Sequence, residues 1–234
     1  MASKRARLDQ FLAGKLQVPR KSVRFMLLAG RVSVDNMIIK DMDLQLDEFS
    51  QVCVDGAALQ NNQPCYLMLN KPVGVVSATK DDIHKTALEL LHGIKLEMLH
   101  IAGRLDLNSS GLLLITNDAR WSEALMSPDN KVSKKYLVTL ANPIDETYIS
   151  AFAGGMYFAF EGITTQAAGF EILSEYQARV SLKEGKYHQI KRMFGRFRNP
   201  VIGLHREAIG ELVLDETLAP GEFRHLTPAE IALF

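Results

Sequence analysis

The stretch Gly103-Arg104-Leu105-Asp106, carried through Asn108-Ser109-Ser110 into Gly111-Leu112-Leu113-Leu114-Ile115-Thr116, decides the reading of this chain. An apolar run of this length, entered through turn residues, reads as a buried strand. Asp106 is then held at the mouth of a core rather than on a free surface. A carboxylate fixed beside an arginine can act as a nucleophile or a base. It can equally be half of a structural ion pair, and the spacing alone leaves both readings open.

Composition narrows the class. The 234 residues are 47% hydrophobic and 23% charged, as in an ordinary globular protein of one large domain or a large and a small one. Charges interrupt every long apolar run, so no membrane helix is expected. The basic start Lys4-Arg5-Ala6-Arg7 has no apolar segment behind it and does not read as a secretory signal. Cys53 and Cys65 lack metal-ligand spacing with any histidine and read as two free thiols in reducing cytoplasm, so no metal is expected.

Zero net charge conceals a strong asymmetry. Residues 1–31 carry eight lysines and arginines against Asp9 alone, and residues 32–60 carry six acids against Lys40. Residues 183–206 hold seven basic residues against Glu184, and residues 207–234 return to acid. Two basic blocks in a neutral chain point to two surfaces for a polyanion, with nucleic acid as the expected partner.

In the first block, Leu8, Phe11, Leu12 and Leu16 fall at helical spacing. A second helix over 21–29 turns Val23, Met26 and Leu27 inward and Lys21 and Arg24 outward, and Gly30 ends it. Residues 31–36 alternate as a strand entering a tight turn. Arg7-Leu8-Asp9 and Ala29-Gly30-Arg31-Val32-Ser33-Val34-Asp35 together resemble the alpha-L RNA-binding motif. Arg5, Arg7, Arg20, Lys21, Arg24 and Arg31 are its candidate RNA contacts. The organisation expected is a module over 1–56, a polar linker over 57–64 closed by Pro64, and a catalytic domain over 65–234.

Further on, Tyr66-Leu67-Met68-Leu69 reads as a strand leading into the turn Asn70-Lys71-Pro72-Val73-Gly74, with Lys71 on its rim and Val75–Ser77 a second short strand. Lys134 to Leu140 is a strand in which Tyr136 either packs in the core or offers a face to a base. After a strand ending at Leu182, Glu184-Gly185-Lys186-Tyr187-His188-Gln189 forms a turn into a helix. Ile190, Met193 and Phe194 are buried there, with Lys191 and Arg192 at the edges. His188 reads as a structural donor, an RNA contact or a general base. Residues 201–210 read as a strand with a basic edge.

In this order Asn70-Lys71-Pro72-x-Gly74, Gly103-Arg104-Leu105-Asp106, Lys135-Tyr136-Leu137-Val138, Glu184 to Gln189 and Leu204-His205-Arg206 resemble the bacterial RsuA-type pseudouridine synthases. The resemblance spans essentially the whole chain. Residues 118–122 and 218–224 are most similar to the branch acting on small-subunit (16S) ribosomal RNA. It implies an α+β protein, with the small N-terminal module preceding a catalytic domain on a mixed, largely antiparallel sheet flanked by helices. It implies isomerisation of one uridine without a cofactor, in a cytoplasmic, monomeric enzyme acting on 16S RNA or the assembling small subunit. By resemblance Asp106 is the essential carboxylate, Tyr136 stacks on uracil, and Lys191 pairs with the aspartate, with Arg192 as the neighbouring alternative. Leu204 packs under the reacting base, Arg104 helps to extrude it, and His188 is a substrate contact. The same chemistry on large-subunit (23S) RNA and a non-catalytic RNA-binding assembly factor are the rival readings.

Overall fold

The computed structural model describes residues 6–234. The chain divides into two compact units, which meet in sequence between Pro64 and Cys65. In the first, helices Leu8–Leu16 and Arg20–Leu28 share a core with an antiparallel sheet ordered Met37–Ile38, Val32–Val34, Val52–Val54, Ala57–Gln60. Leu8, Leu12, Val23, Leu27, Val32 and Val52 are buried in it. The two hairpin turns use consecutive left-handed residues, Asp35 (φ 51°) with Asn36 (65°) and Asp55 (52°) with Gly56 (79°). That backbone matches the twist of the strands it joins. Residues 57–60, expected in the linker, are instead a strand paired with Val52–Val54. Uncharged, weakly apolar Ala57-Ala58-Leu59-Gln60 pairs its backbone in this sheet, and its composition gives no sign of it.

The second unit is built on a nine-stranded sheet. Its main path runs Gly169–Ser174, Gln177–Leu182, Lys134–Leu140, Val201–Ile209, Ser110–Thr116, Tyr66–Lys71, Phe223–His225. His100–Ala102 pairs with Ser110–Thr116, and Leu212–Val213 with Val201–Ile209. Every pairing is antiparallel except that of Val201–Ile209 with Ser110–Thr116, where His205 faces Ser110 and Arg206 faces Gly111. The α+β architecture is thus mixed and largely antiparallel, with helices on both faces.

The central strand shows why its sequence is continuously apolar. Leu113 and Ile115 enter one core with Leu67, Leu69, Phe152 and Phe194, while Leu112 and Leu114 enter a second with Met68, Trp121 and Leu125. Alternate side chains point to opposite faces and both faces are covered. Helix Ala119–Met126 covers one, capped by Asp118, whose carboxylate accepts from the Arg120 and Trp121 amides. Helices Thr147–Gly154 and Gln189–Gly195 cover the other. Val75–Ser77 is not a strand: only Val76 forms a bridge, to Thr86. No helix among the described residues is long and apolar enough to cross a membrane.

Candidate active site

The loop carrying Asp106 is fixed from two sides. The Ser77 hydroxyl donates to the Leu105 carbonyl at 2.8 Å and accepts from the Leu105 amide at 3.0 Å. From the other side, the Arg206 guanidinium donates to the carbonyls of Gly103 (2.8 Å), Arg104 (3.3 Å) and Leu112 (2.8 Å). Arg206 is 1% exposed, so it is not the basic edge expected of residues 201–210. Three carbonyls about a hundred residues earlier in the chain satisfy its donors, which is what makes burial of a cation tolerable. With Leu105 buried beneath, Asp106 projects from a held loop. Lysine at 206 keeps the charge but has no planar fork to span three carbonyls. The Arg206→Lys variant should therefore lose about 10- to 100-fold in kcat, with substrate affinity much less changed. Steady-state kinetics on RNA check this, and an unaltered kcat would contradict it.

Two basic side chains reach the carboxylate directly. Lys191 Nζ lies 3.5 Å and His188 Nε2 3.4 Å from Asp106 Oδ2, which is about one-third exposed. Lys71, expected on the rim of its turn, is fully buried instead. Its ammonium donates to the carbonyls of Pro72 (2.8 Å) and Val75 (2.6 Å), so the turn folds around it. Burial lowers the Lys71 pKa to about 8, opposed by the attraction of Asp106 and reinforced by Arg206. The folded chain therefore holds this proton less tightly than the unfolded chain, whose lysine titrates near 10.5. Stability is reduced below pH 8 and recovers as pH rises from about 8 towards 10.5. Urea unfolding at several pH values should show a smaller rise across that window in Lys71→Met than in the parent; equal slopes would contradict this.

Arg192 is not at the aspartate. Its guanidinium pairs with Glu161 and lies 3.7 Å over the Phe158 ring. Of the two adjacent cations, Lys191 faces Asp106 because the Gln189–Gly195 helix turns Ile190, Met193 and Phe194 into the core. That helix starts from a braced turn. Glu184 accepts from the Gln189 side chain (2.7 Å) and the Gln166 amide (2.9 Å), while Gln189 accepts from the Lys186 amide (3.0 Å). His188 ends the turn with φ 48°, an uncommon conformation outside glycine, which swings its ring to the carboxylate.

The cleft in front of Asp106 is lined by Arg104, Ser109, Tyr136, His188, Lys191 and Leu204 among others. Tyr136, on the Lys134–Leu140 strand, is 9% exposed. Leu204, on the adjoining strand, is partly buried and packs against the core below. Arg104 is exposed at the entrance. Among the described residues, Ser109 Oγ is the buried side-chain polar atom that has no hydrogen-bond partner, and it sits in this cleft. The sequence reading missed Ser77, Lys71, Ser109 and the buried Arg206. Only the turn chemistry of Asn108-Ser109-Ser110 offered a local signal for any of them.

The basic residues of the first unit are partly committed to carboxylates. Arg7 and Arg20 both pair with Asp9, Arg7 also with Asp43, and Arg31 with Asp55. Asp9 is fully buried, and the bonds from Arg20 and Arg7 lower its pKa against the opposing effect of burial. Lys21 and Arg24 are exposed on the second helix. Arg5 lies outside the described residues. Among the described residues no cluster of three or more His, Cys, Asp or Glu side chains is placed to hold a metal ion.

Comparison with known proteins gives consistent matches. The profile of the family described as RNA pseudouridylate synthase matches residues 65–195. The ribosomal small subunit pseudouridine synthase A of Vibrio cholerae is 45% identical over 226 residues, covering 97% of this chain and 98% of that protein. The protein of the same name from Escherichia coli is 42% identical over 227 residues, with 97% and 98% covered. A crystal structure described as a pseudouridylate synthase superposes with a TM-score of 0.72 at 38% identity, covering 97% of this chain and 99% of the other.

Proposed function

The chain belongs to the RNA pseudouridylate synthase family, and from that premise we propose that it converts one uridine of small-subunit (16S) ribosomal RNA to pseudouridine, with Asp106 as the reacting group. The observation that carries this reading is the placement of the partly exposed Asp106 carboxylate, with Lys191 Nζ and His188 Nε2 within 3.5 Å, in a cleft lined by Tyr136 and Leu204. The small-subunit substrate follows the names of relatives matched over nearly the full length.

The reaction breaks the N1–C1′ bond, turns uracil, and joins C5 to C1′ with loss of the C5 proton and protonation of N1. Atoms and electrons balance within the nucleoside. Asp106 acts on it as nucleophile or base, and either role uses the carboxylate in its ionised form. Lys191 is the partner that orients the carboxylate. The target base must leave its stack to reach Asp106. Exposed Arg104 at the entrance takes up the phosphate or stack the base vacates, Tyr136 and Leu204 sandwich the uracil, and the Ser109 hydroxyl gains its partner from the bound nucleotide. Lys21 and Arg24 of the first unit, with Arg5, Arg7, Arg20 and Arg31, are assigned to RNA phosphates, the three ion-paired arginines exchanging carboxylates for phosphate.

Purified protein incubated separately with unmodified small- and large-subunit RNAs, followed by carbodiimide-dependent primer extension, tests the substrate. One stop in the small-subunit RNA is expected. A stop confined to the large-subunit RNA would move the same chemistry to another substrate. Silence on both naked RNAs and on partly assembled particles would favour a binding factor.

A further inference from the structure

Two exposed aromatic side chains, Phe160 and Tyr187, stand on segments tied to the Gln189–Gly195 helix that borders the cleft. The hairpin Tyr157–Phe158 with Ile163–Thr164 buries Phe158 but leaves Phe160 at its tip 96% exposed. Tyr187, in the turn before the Gln189–Gly195 helix, is 76% exposed and stacks on His188, with ring centroids 3.9 Å apart and planes 18° apart. Single exposed apolar residues are ordinary. These two are joined through one side chain: Arg192 pairs with Glu161, next to Phe160, and reaches the Tyr187 carbonyl at 3.4 Å. Arg196 also holds the hairpin by donating to the Tyr157 carbonyl at 3.0 Å. The tip is therefore pinned rather than loose, and His188 leads directly from Tyr187 to Asp106.

We infer that Phe160 and Tyr187 form a stacking shelf for the unpaired bases that flank the target uridine, with exposed Lys183, Lys186 and Arg198 taking the intervening phosphates. Aromatic faces interleaved with cations suit an RNA strand, because every base has a face to stack and every linkage a charge. The shelf deepens the function proposed above and rests on its reading of the cleft as an RNA site. It explains why Arg192, although it does not touch Asp106, spans turn and hairpin: it sets the spacing of the two rings.

Phe160 supports no core, so its substitution leaves folding intact and gives a clean test. In Phe160→Ala the KM for small-subunit RNA should rise about 5- to 150-fold with kcat unchanged. Phe160→Tyr should restore it and Phe160→Leu should not. The tryptophan of Phe160→Trp should be quenched by a short oligouridylate, against an unmoved signal from buried Trp121 in the parent. An emission that oligouridylate leaves unmoved overturns the shelf, as does an alanine KM within twofold of the parent or full rescue by leucine. The quench needs no turnover. If the parent makes no pseudouridine yet the tryptophan is quenched, the catalytic reading falls and the shelf stands.

Discussion

Asp106→Asn should make no detectable pseudouridine, a loss of at least about 10³-fold, while binding small-subunit RNA with affinity close to that of the parent. The amide keeps the size and shape of the carboxylate but carries no charge and is neither a base nor a useful nucleophile. Asp106 is about one-third exposed and supports no packing, so the fold has little reason to respond. Its loop is held through neighbours instead, by Ser77 on Leu105 and by Arg206 on Gly103 and Arg104. The binding measurement separates an enzyme from an assembly factor. If the asparagine variant retained turnover within tenfold of the parent, the assignment of Asp106 would be wrong and the acting group would have to be sought elsewhere in the cleft.

Gly111→Ala should cost stability on the order of 3–5 kcal/mol, a large share of the roughly 5–15 kcal/mol typical of a domain. Gly111 sits where the one parallel pairing of the sheet begins, opposite Arg206 on one side and Lys71 on the other. Its φ of +103° is open to glycine but strained for other residues. A Cβ there would also lie 2.7 Å from the Arg206 nitrogen and nearer still to its carbonyl oxygen. Those are backbone atoms of a central strand and cannot turn aside. Relief would require parting the two strands that carry Arg206 and the Asp106 loop, so activity should fall together with stability. Denaturant unfolding checks this, and a loss under about 1 kcal/mol would contradict it.

Local pattern carries far in this chain, and where it stops has a common cause. The run Leu112–Ile115 reads as a buried strand because each residue is apolar, and the structure adds that its two faces enter two separate cores. Helical spacing of Ile190, Met193 and Phe194 fixes the side on which Lys191 emerges, so its approach to Asp106 follows from which residues are buried. Lys71 and Arg206 read as surface cations because charge normally means solvent. Their burial depends on carbonyls that converge only in three dimensions: Pro72 and Val75 through a tight turn for Lys71, Gly103, Arg104 and Leu112 across the sheet for Arg206. Nothing in the local sequence records such convergence. The Ala57–Gln60 strand is hidden for a related reason, since a short edge strand of small, half-exposed and uncharged side chains has the composition of a linker. The family resemblance implies the role proposed for Leu204, whose own neighbourhood reads only as strand, and it chooses between the two local readings of Tyr136, core packing or a face for a base.

The central claim is that this cleft moves a uridine from N1 to C5 attachment through Asp106, and that change necessarily releases the hydrogen on C5. Small-subunit RNA transcribed with uridine tritiated at C5 measures it directly. The account predicts release approaching one equivalent of tritium per RNA with the parent protein and none with Asp106→Asn. No release by the parent from naked RNA or from assembling particles, or equal release by the asparagine variant, would contradict it.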